Sequence, residues 1–318
     1  MSIRYAARTR PGTMVSTWLN ALVSGTVVSG AAYFAGGTSP DVATVDKFAF
    51  PADSRTTLGT GLSAARAFLA GAANSGTAAY FAGGYESGVV ATINKFAFSD
   101  DSRTTLSSGL STARRYLAGA ANSGTAAYFG GGYIPPGVAT VDKFAFSDDS
   151  RSTLGTGLSA ASENLAGAAN SGTAAYFAGG WAGGLATTVD KFAFSDDSRT
   201  TLGTGLYPGR RSLVGAANSG TAAYFAGGYT TGAVDTINKF AFSDDSRTTL
   251  SAGLSAARYN LAGAAHSGTA AYFAGGYESD AVDTVDKFAF SDDSRTSLGT
   301  GLSSARYYLA GAANSGTL

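Results

Sequence analysis

The stretch Ala78-Ala79-Tyr80-Phe81-Ala82-Gly83-Gly84 returns along the chain, with the tyrosine of its Ala-Ala-Tyr-Phe core at Tyr33, Tyr80, Tyr128, Tyr176, Tyr224 and Tyr272. The spacings are 47 residues once and 48 thereafter, a period that belongs to propeller blades or helical arrays. Working outward from Tyr80, four strand-like runs appear in each unit, here Phe68 to Ala73, Thr77 to Ala82, Thr92 to Phe98 and Thr104 to Leu106. They are called strands a, b, c and d below. Between them stand Asn74-Ser75-Gly76, the loop from Gly83 to Ala91, Ser99-Asp100-Asp101-Ser102, and Gly109 to Arg114. Glycine supplies positive φ in such turns, while Asn, Asp and Ser cap their own backbone. About twelve residues per strand and turn is the spacing of an all-β architecture. The alanine-rich stretch Leu62 to Ala73 has helical propensity, yet as a helix it has no clean polar face and leaves each unit a strand short.

The pattern therefore predicts an all-β, closed six-bladed β-propeller with four antiparallel strands per blade. Small and aromatic residues on both sides of the strands suit blades that bury both surfaces on their neighbours. Phe96 and Phe98 are expected on one side of strand c, with Ile93 and Ala97 on the other. The units read b-c-d-a, so the last strand a, Leu309 to Ser315, is expected to join the sheet begun at residue 31 and close the ring. A rival arrangement places Leu19 to Val28 there instead. In the first arrangement residues 1–30 form an arm outside the propeller of residues 31–318.

Lys plus Arg and Asp plus Glu both number 22, which leaves no net field to favour nucleic acid. The apolar stretch Trp18 to Val28 is too short and polar to span a bilayer, and membrane insertion is not expected. Cysteine is absent and His266 is the lone histidine, so thiolate chemistry and a Ser-His-Asp set have little to build on. His266 stands where other units have Asn74, Asn122, Asn170 and Asn218, and is read as a neutral exchange. The repeated Asp-Asp-Ser, as at Asp148-Asp149-Ser150, lacks the further ligand spacing of a calcium loop. A capped turn with Asp149 paired to Arg151 accounts for it, and neither a metal nor any cofactor is expected. Lysines such as Lys95 and Lys143 are read as capping the sheet.

Several features resemble a Kelch repeat: the Gly-Gly pair ending strand b, an aromatic about a dozen residues later at Phe96 or Phe98, and an arginine such as Arg66 leading into strand a. The resemblance covers residues 31–318. It departs at strand d, where the family's tryptophan is replaced by Leu58, Leu106, Leu154, Leu202, Leu250 and Leu298, which makes the family's enzymes poor guides. The copper-radical oxidases on such propellers need histidine and cysteine ligands that this chain lacks, while the small sialic-acid mutarotases are closer in architecture. The glycine-alanine-rich style, with its Lys-Phe-Ala-Phe phrases, also resembles propellers of tailed-bacteriophage structural proteins.

The six units differ unevenly. Turns a–b and c–d are nearly invariant, whereas the b–c loops and d–a connections vary. Alternating strand direction sends the two variable sets to one face of the disc, where loops on a rigid scaffold carry recognition. Drift in unconstrained loops explains the same pattern. Tyr85, Tyr133, Trp181, Tyr229 and Tyr277 follow the glycine pair and suit stacking on sugars or a protein partner. Packing on the adjacent blade is the alternative. With Arg66, Arg115, Glu86 and Glu278 they make the candidate ligand site. No catalytic residue is singled out: a catalytic pocket breaks symmetry at one or two blades, whereas these six units are similar with scattered loop differences, the fourth, with Trp181 and Ser162-Glu163-Asn164, diverging most. The expected function is a non-enzymatic structural or recognition propeller of a virion, in a capsid decoration or tail fibre, that binds a host surface or partner protein. The alternatives are a lectin-like carbohydrate-binding protein and a mutarotase-like enzyme. Expected partners are other virion or assembly proteins through residues 1–30, within an oligomer, and a cell-surface glycan. The expected location is virion or extracellular, with cytoplasmic as the alternative.

Overall fold

A computed structural model of the chain describes residues 30–315. The described residues form six four-stranded antiparallel sheets arranged as the blades of a β-propeller. In the second blade the strands are Ala70–Asn74, Ala78–Ala82, Ile93–Ala97 and Arg103–Thr105, each within about two residues of its expected place. Of the alanine-rich stretch, Ala70 to Ala73 is strand, with a closed ladder and a packed position at the axis, and Leu62 to Leu69 is irregular connection.

Composition follows distance from the axis. Strands a are innermost and read Ala-Gly-Ala-Ala-Asn, with Val214 in one copy and His266 in another. Their glycines meet around the axis: a Cβ on Gly71, Gly119, Gly167, Gly215, Gly263 or Gly311 would run into the carbonyl oxygen of the neighbouring glycine in that ring. Strands b are buried throughout, with alternate residues entering opposite blade interfaces. Ala79, Phe81, Phe96 and Phe98 pack on Tyr33 and Val45 of the first blade. Tyr80 and Ile93 pack on Phe129 and Phe144 of the third. Each fully buried aromatic contributes roughly 2–3 kcal/mol relative to exposure. Strands d, rich in Thr and Arg, are short and largely exposed at the rim.

Polar links repeat at every blade interface. The Tyr80 hydroxyl donates to Asp149 Oδ1 at 2.8 Å and Lys95 Nζ donates to Asp149 Oδ2 at 2.7 Å. Equivalent sets join Tyr128 and Lys143 to Asp197, and Tyr176 and Lys191 to Asp245. Burial, then the hydrogen bond to the aspartate, pushes the Tyr80 phenol far above its ordinary pKa, so it remains a donor. The expected pairing of Asp149 with Arg151 is therefore corrected. Asp149 turns toward the preceding blade with φ of 56°, and Arg151 lies near Asp142 and Thr153 of its own blade. The expected sheet-capping lysines are likewise corrected to links between blades.

The ring closes as expected from the C-terminal strand. Ala310–Asn314 pairs antiparallel with Ala31–Ala35, from Ala31 opposite Asn314 to Ala35 opposite Ala310. Residues 1–29, which hold most of the expected arm and the rival strand Leu19 to Val28, lie outside the described residues. The inner position of the first blade is nevertheless occupied by the C-terminal strand. Closure is sealed by Lys287 and Tyr272 on Asp53, at 2.6 and 2.7 Å.

Removing residues 306–318 should open the ring, leave the Ala31–Ala35 edge unpaired, and cause cooperative loss of stability or aggregation. A truncated protein that melts like the full chain would contradict the closure. In a second test, Asp149→Ala leaves the buried Tyr80 hydroxyl without its acceptor and should cost about 2 kcal/mol in chemical denaturation. Asp148→Ala, which removes only an exposed cap on Ser150, should cost no more than about 1 kcal/mol.

Candidate functional site

Strand alternation brings the b–c loops and d–a connections together on one face, where they pair with each other. Tyr133 N–H donates to Arg115 carbonyl at 2.7 Å, and Trp181 N–H to Glu163 carbonyl at 2.8 Å. Equivalent bridges join Ala67 to Tyr85, Arg211 to Tyr229, Tyr259 to Tyr277, and Tyr307 to Thr38. The side chains consequently form a belt drawn alternately from the two loop sets. The Arg115 guanidinium lies 5.2 Å from the Tyr85 ring centre and 5.7 Å from that of Tyr133. Arg211 spans Trp181 and Tyr229 at 5.2 and 5.6 Å. Tyr229, Tyr259, Tyr277 and Tyr307 continue at centre separations of 5.2, 5.5 and 5.1 Å.

The loop aromatics pack on their neighbours, the alternative reading, while part of each ring surface stays open. Tyr85, Tyr229 and Tyr277 pack edge-on or tilted against neighbouring rings and Tyr133 lies beside Arg115; all four stay half-buried, and Trp181 is 39% exposed. Each retains surface for a ligand while its ring is held in place.

Inside the belt a second circle surrounds the axis. Phe68, Tyr116, Asn164, Ser212, Asn260 and Tyr308 all have φ between 55° and 63°. Each donates its N–H to the carbonyl of the equivalent residue one blade away, at 2.7 to 3.0 Å, in an unbroken cycle of six. Glycine takes this conformation at least cost, and a bulky side chain there is unusual. Side chains held at strained positions of this kind cluster where function needs them. They divide the mouth in two. Tyr308, Phe68 and Tyr116 cluster edge-on or tilted, with ring centres 4.1 to 5.6 Å apart, and the other half is Asn164, Ser212 and Asn260. Below lies an axial cavity of about 720 Å³ between the inner strands.

Charge is also unevenly placed. Burial holds the Glu163 carboxyl above its ordinary range, opposed by the nearby cations Arg211 and Arg115. Three consecutive blades thus present Arg, Glu and Arg, and the next two present Tyr259 and Tyr307.

Three sequence candidates belong to the scaffold. Arg66 is fully buried, donating to Phe81 carbonyl at 3.1 Å and to Asn94 Oδ1 at 2.9 Å, so it does not orient a ligand on the face. The expectation failed because its neighbours in sequence vary while its own environment repeats. Arg114, Arg258 and Arg306 sit likewise against Asp142, Asp286 and Asp46. Where the partner is Asn, burial pushes the guanidinium of Arg66 and Arg210 down to about 10, still charged at neutral pH. Glu86 lies 4.0 Å from Arg66, and Glu278 favours the charged form of Arg258. These glutamates are counter-charges to buried arginines, outside the aromatic belt. Sequence reasoning singled out Arg115 but left Arg211, Tyr259, Tyr307 and the inner circle out of the site. Their signal was positional, as the two residues that follow each buried arginine.

The opposite face has a different character. Ser75, Ser123, Ser171, Ser219, Ser267 and Ser315 form a closed cycle in which each backbone N–H donates to the next serine Oγ. Asn74 Oδ1 accepts from Gly124 N–H of the next blade at 2.8 Å, and the pattern recurs. His266, in place of that asparagine, stacks on Phe50 at 4.6 Å, and burial lowers its pKa. The near-invariance of these turns has a structural cause.

Compared with models of known protein families, the chain matches none, and a search of curated proteins gives no match.

Proposed function

We propose that the chain is a non-enzymatic recognition propeller, Kelch-like in its repeat, that serves as the surface-contacting part of a larger particle such as a tailed-phage virion. In this reading the variable face grips a glycan-bearing host surface. The observation that carries it is the belt of half-exposed aromatic rings and guanidinium groups around the mouth, set on a face whose opposite side is nearly uniform. Aromatic faces stack on the C–H surfaces of sugar rings, and arginines beside them address hydroxyl or carboxylate groups. Because the belt runs over several blades, several weak subsites act together, and arraying copies on a particle multiplies them through effective concentration.

A recognition role accounts for the irregularity better than catalysis does. Differences are spread over all six blades, and the charged members of the belt are engaged with their neighbours. Partner-protein binding would use the same anchors, and a mutarotase-like activity would use the same mouth but return a changed sugar.

The test is a paired substitution read on cells and on a glycan array. Trp181→Ala with Tyr229→Ala should weaken binding about tenfold or more, with unchanged folding by circular dichroism. Asp148→Ala with Asp196→Ala, on the opposite face, should leave binding intact. Equal loss from both pairs, or loss only through unfolding, would overturn the assignment of the face. Recovery of a chemically altered sugar would overturn the non-enzymatic reading.

A further inference from the structure

Five of the six blades fill one internal position with a buried arginine: Arg66, Arg114, Arg210, Arg258 and Arg306. In the fourth blade the equivalent residue is Ser162. The acceptors that serve the arginine are still there, with Ser162 Oγ donating to the Gly179 carbonyl at 3.3 Å. In other blades the guanidinium donates to a glycine carbonyl, as Arg114 Nε to Gly131 at 2.8 Å, and to a phenylalanine carbonyl, as Arg114 Nη2 to Phe129 at 3.0 Å. It also reaches a threonine carbonyl, as Arg66 Nη1 to Thr92, and the strand c carboxylate, as Arg114 Nη1 to Asp142 at 2.9 Å. The fourth-blade counterparts, Gly179, Phe177, Thr188 and Asp190, line a hollow of about 20 Å³. By the measure in which about 10–15 Å³ admits one water, the hollow admits about one, so a guanidinium head would fill it and reach outward through its cover.

Asp190 is 3% exposed and charge-deficient there. Ser159 N–H and Oγ donate to its Oδ2 at 2.8 and 2.9 Å, and Thr201 donates to Oδ1 at 2.6 Å. The nearest cation in contact, Arg199 Nε, stands 4.0 Å away. The aspartates of the first, third and sixth blades have the same hydroxyl partners and an arginine at 2.9 Å as well. The cover is also thinned. Where the second blade has Glu86 and Val90, the fourth has Ala182 and Ala186 beside the hollow, and Ala160 and Ala182 are exposed.

We propose that this hollow is a binding site for a guanidinium group, which takes the place of the missing arginine head. The planar cation would bond Asp190 Oδ2 on one side and the Phe177 and Gly179 carbonyls on the other, a fork geometry that an ammonium ion cannot reproduce. The group comes either from a small guanidino compound or from an arginine side chain of a partner. The site adjoins Trp181 and Glu163, so occupancy would be felt on the variable face. It is independent of the glycan reading, since it rests on the five filled blades alone.

The experiment is thermal melting of the full chain with guanidinium chloride in the low tens of millimolar, against sodium and ammonium chloride at matched ionic strength. A parallel arm uses N-acetylarginine amide. Guanidinium should raise Tm by about 2 °C near ten times its Kd, far below denaturing concentrations. A matching rise with the arginine amide assigns the site to a side chain, and none assigns it to small guanidino compounds. Ser162→Arg should raise Tm and abolish the response. Asp190→Asn, the residue that receives the arginine as Asn94 and Asn238 in two other blades, should fold and respond more weakly, because the acceptor oxygen stays while the charge is lost. No guanidinium-specific rise, or a rise that survives in Ser162→Arg, would overturn the proposal.

Discussion

Six glycines touching at the axis set the terms for everything outside them. Gly71, Gly119, Gly167, Gly215, Gly263 and Gly311 each stand where a side chain would collide with the backbone of the neighbouring inner strand. That contact fixes how near the blades come to each other and hence how six of them complete a circle. Backbone against backbone cannot yield as side chains do. Given this spacing, the alanines beside the glycines fill the waist, the Tyr and Phe pairs fill the widening wedges, and Thr-rich strands d reach the rim.

Closure then becomes a matter of cycles. The serine cycle on one face, the backbone cycle at the mouth of the other, and the Tyr-Lys-Asp links between blades each come back to their starting point. A cycle has no end to fray, and one blade lost interrupts all of them. This explains why two sets of turns tolerate so little change: their side chains hold neighbouring blades. Apart from the buried arginines, the b–c and d–a connections meet mainly backbone requirements, which leaves their outward residues free to differ.

Much of this was legible in the sequence because repetition amplifies weak local signals. The Ala-Ala-Tyr-Phe period gave blade number and strand order, and the b-c-d-a order placed Ala310–Asn314 in the first blade. What escaped was contact between units. Asp149 reads locally as the partner of Arg151, yet it serves Tyr80 and Lys95, far away along the chain. One clue stood in the first unit, whose c–d turn loses one aspartate to Ala52 but keeps Asp53, the member that closes the ring. Arg66 escaped for the opposite reason. It sits beside the variable residues and was grouped with them, although its recurrence in five units is the mark of a structural part. Where it is missing, at Ser162, the sequence alone gave no sign that Asp190 and its neighbouring carbonyls would be left facing a hollow.

The most direct measurement of the central claim is the stability of Gly167→Ala beside Gly155→Ala. Gly155 has open space where its Cβ would go and no positive φ, so alanine there should be neutral within about 0.5 kcal/mol. Alanine at Gly167 must push the inner strands of two blades apart, and should cost about 2–3 kcal/mol or prevent folding. If both variants denature at the midpoint of the unmodified chain, the inner strands do not meet at the axis as described, and the closed six-bladed ring is contradicted.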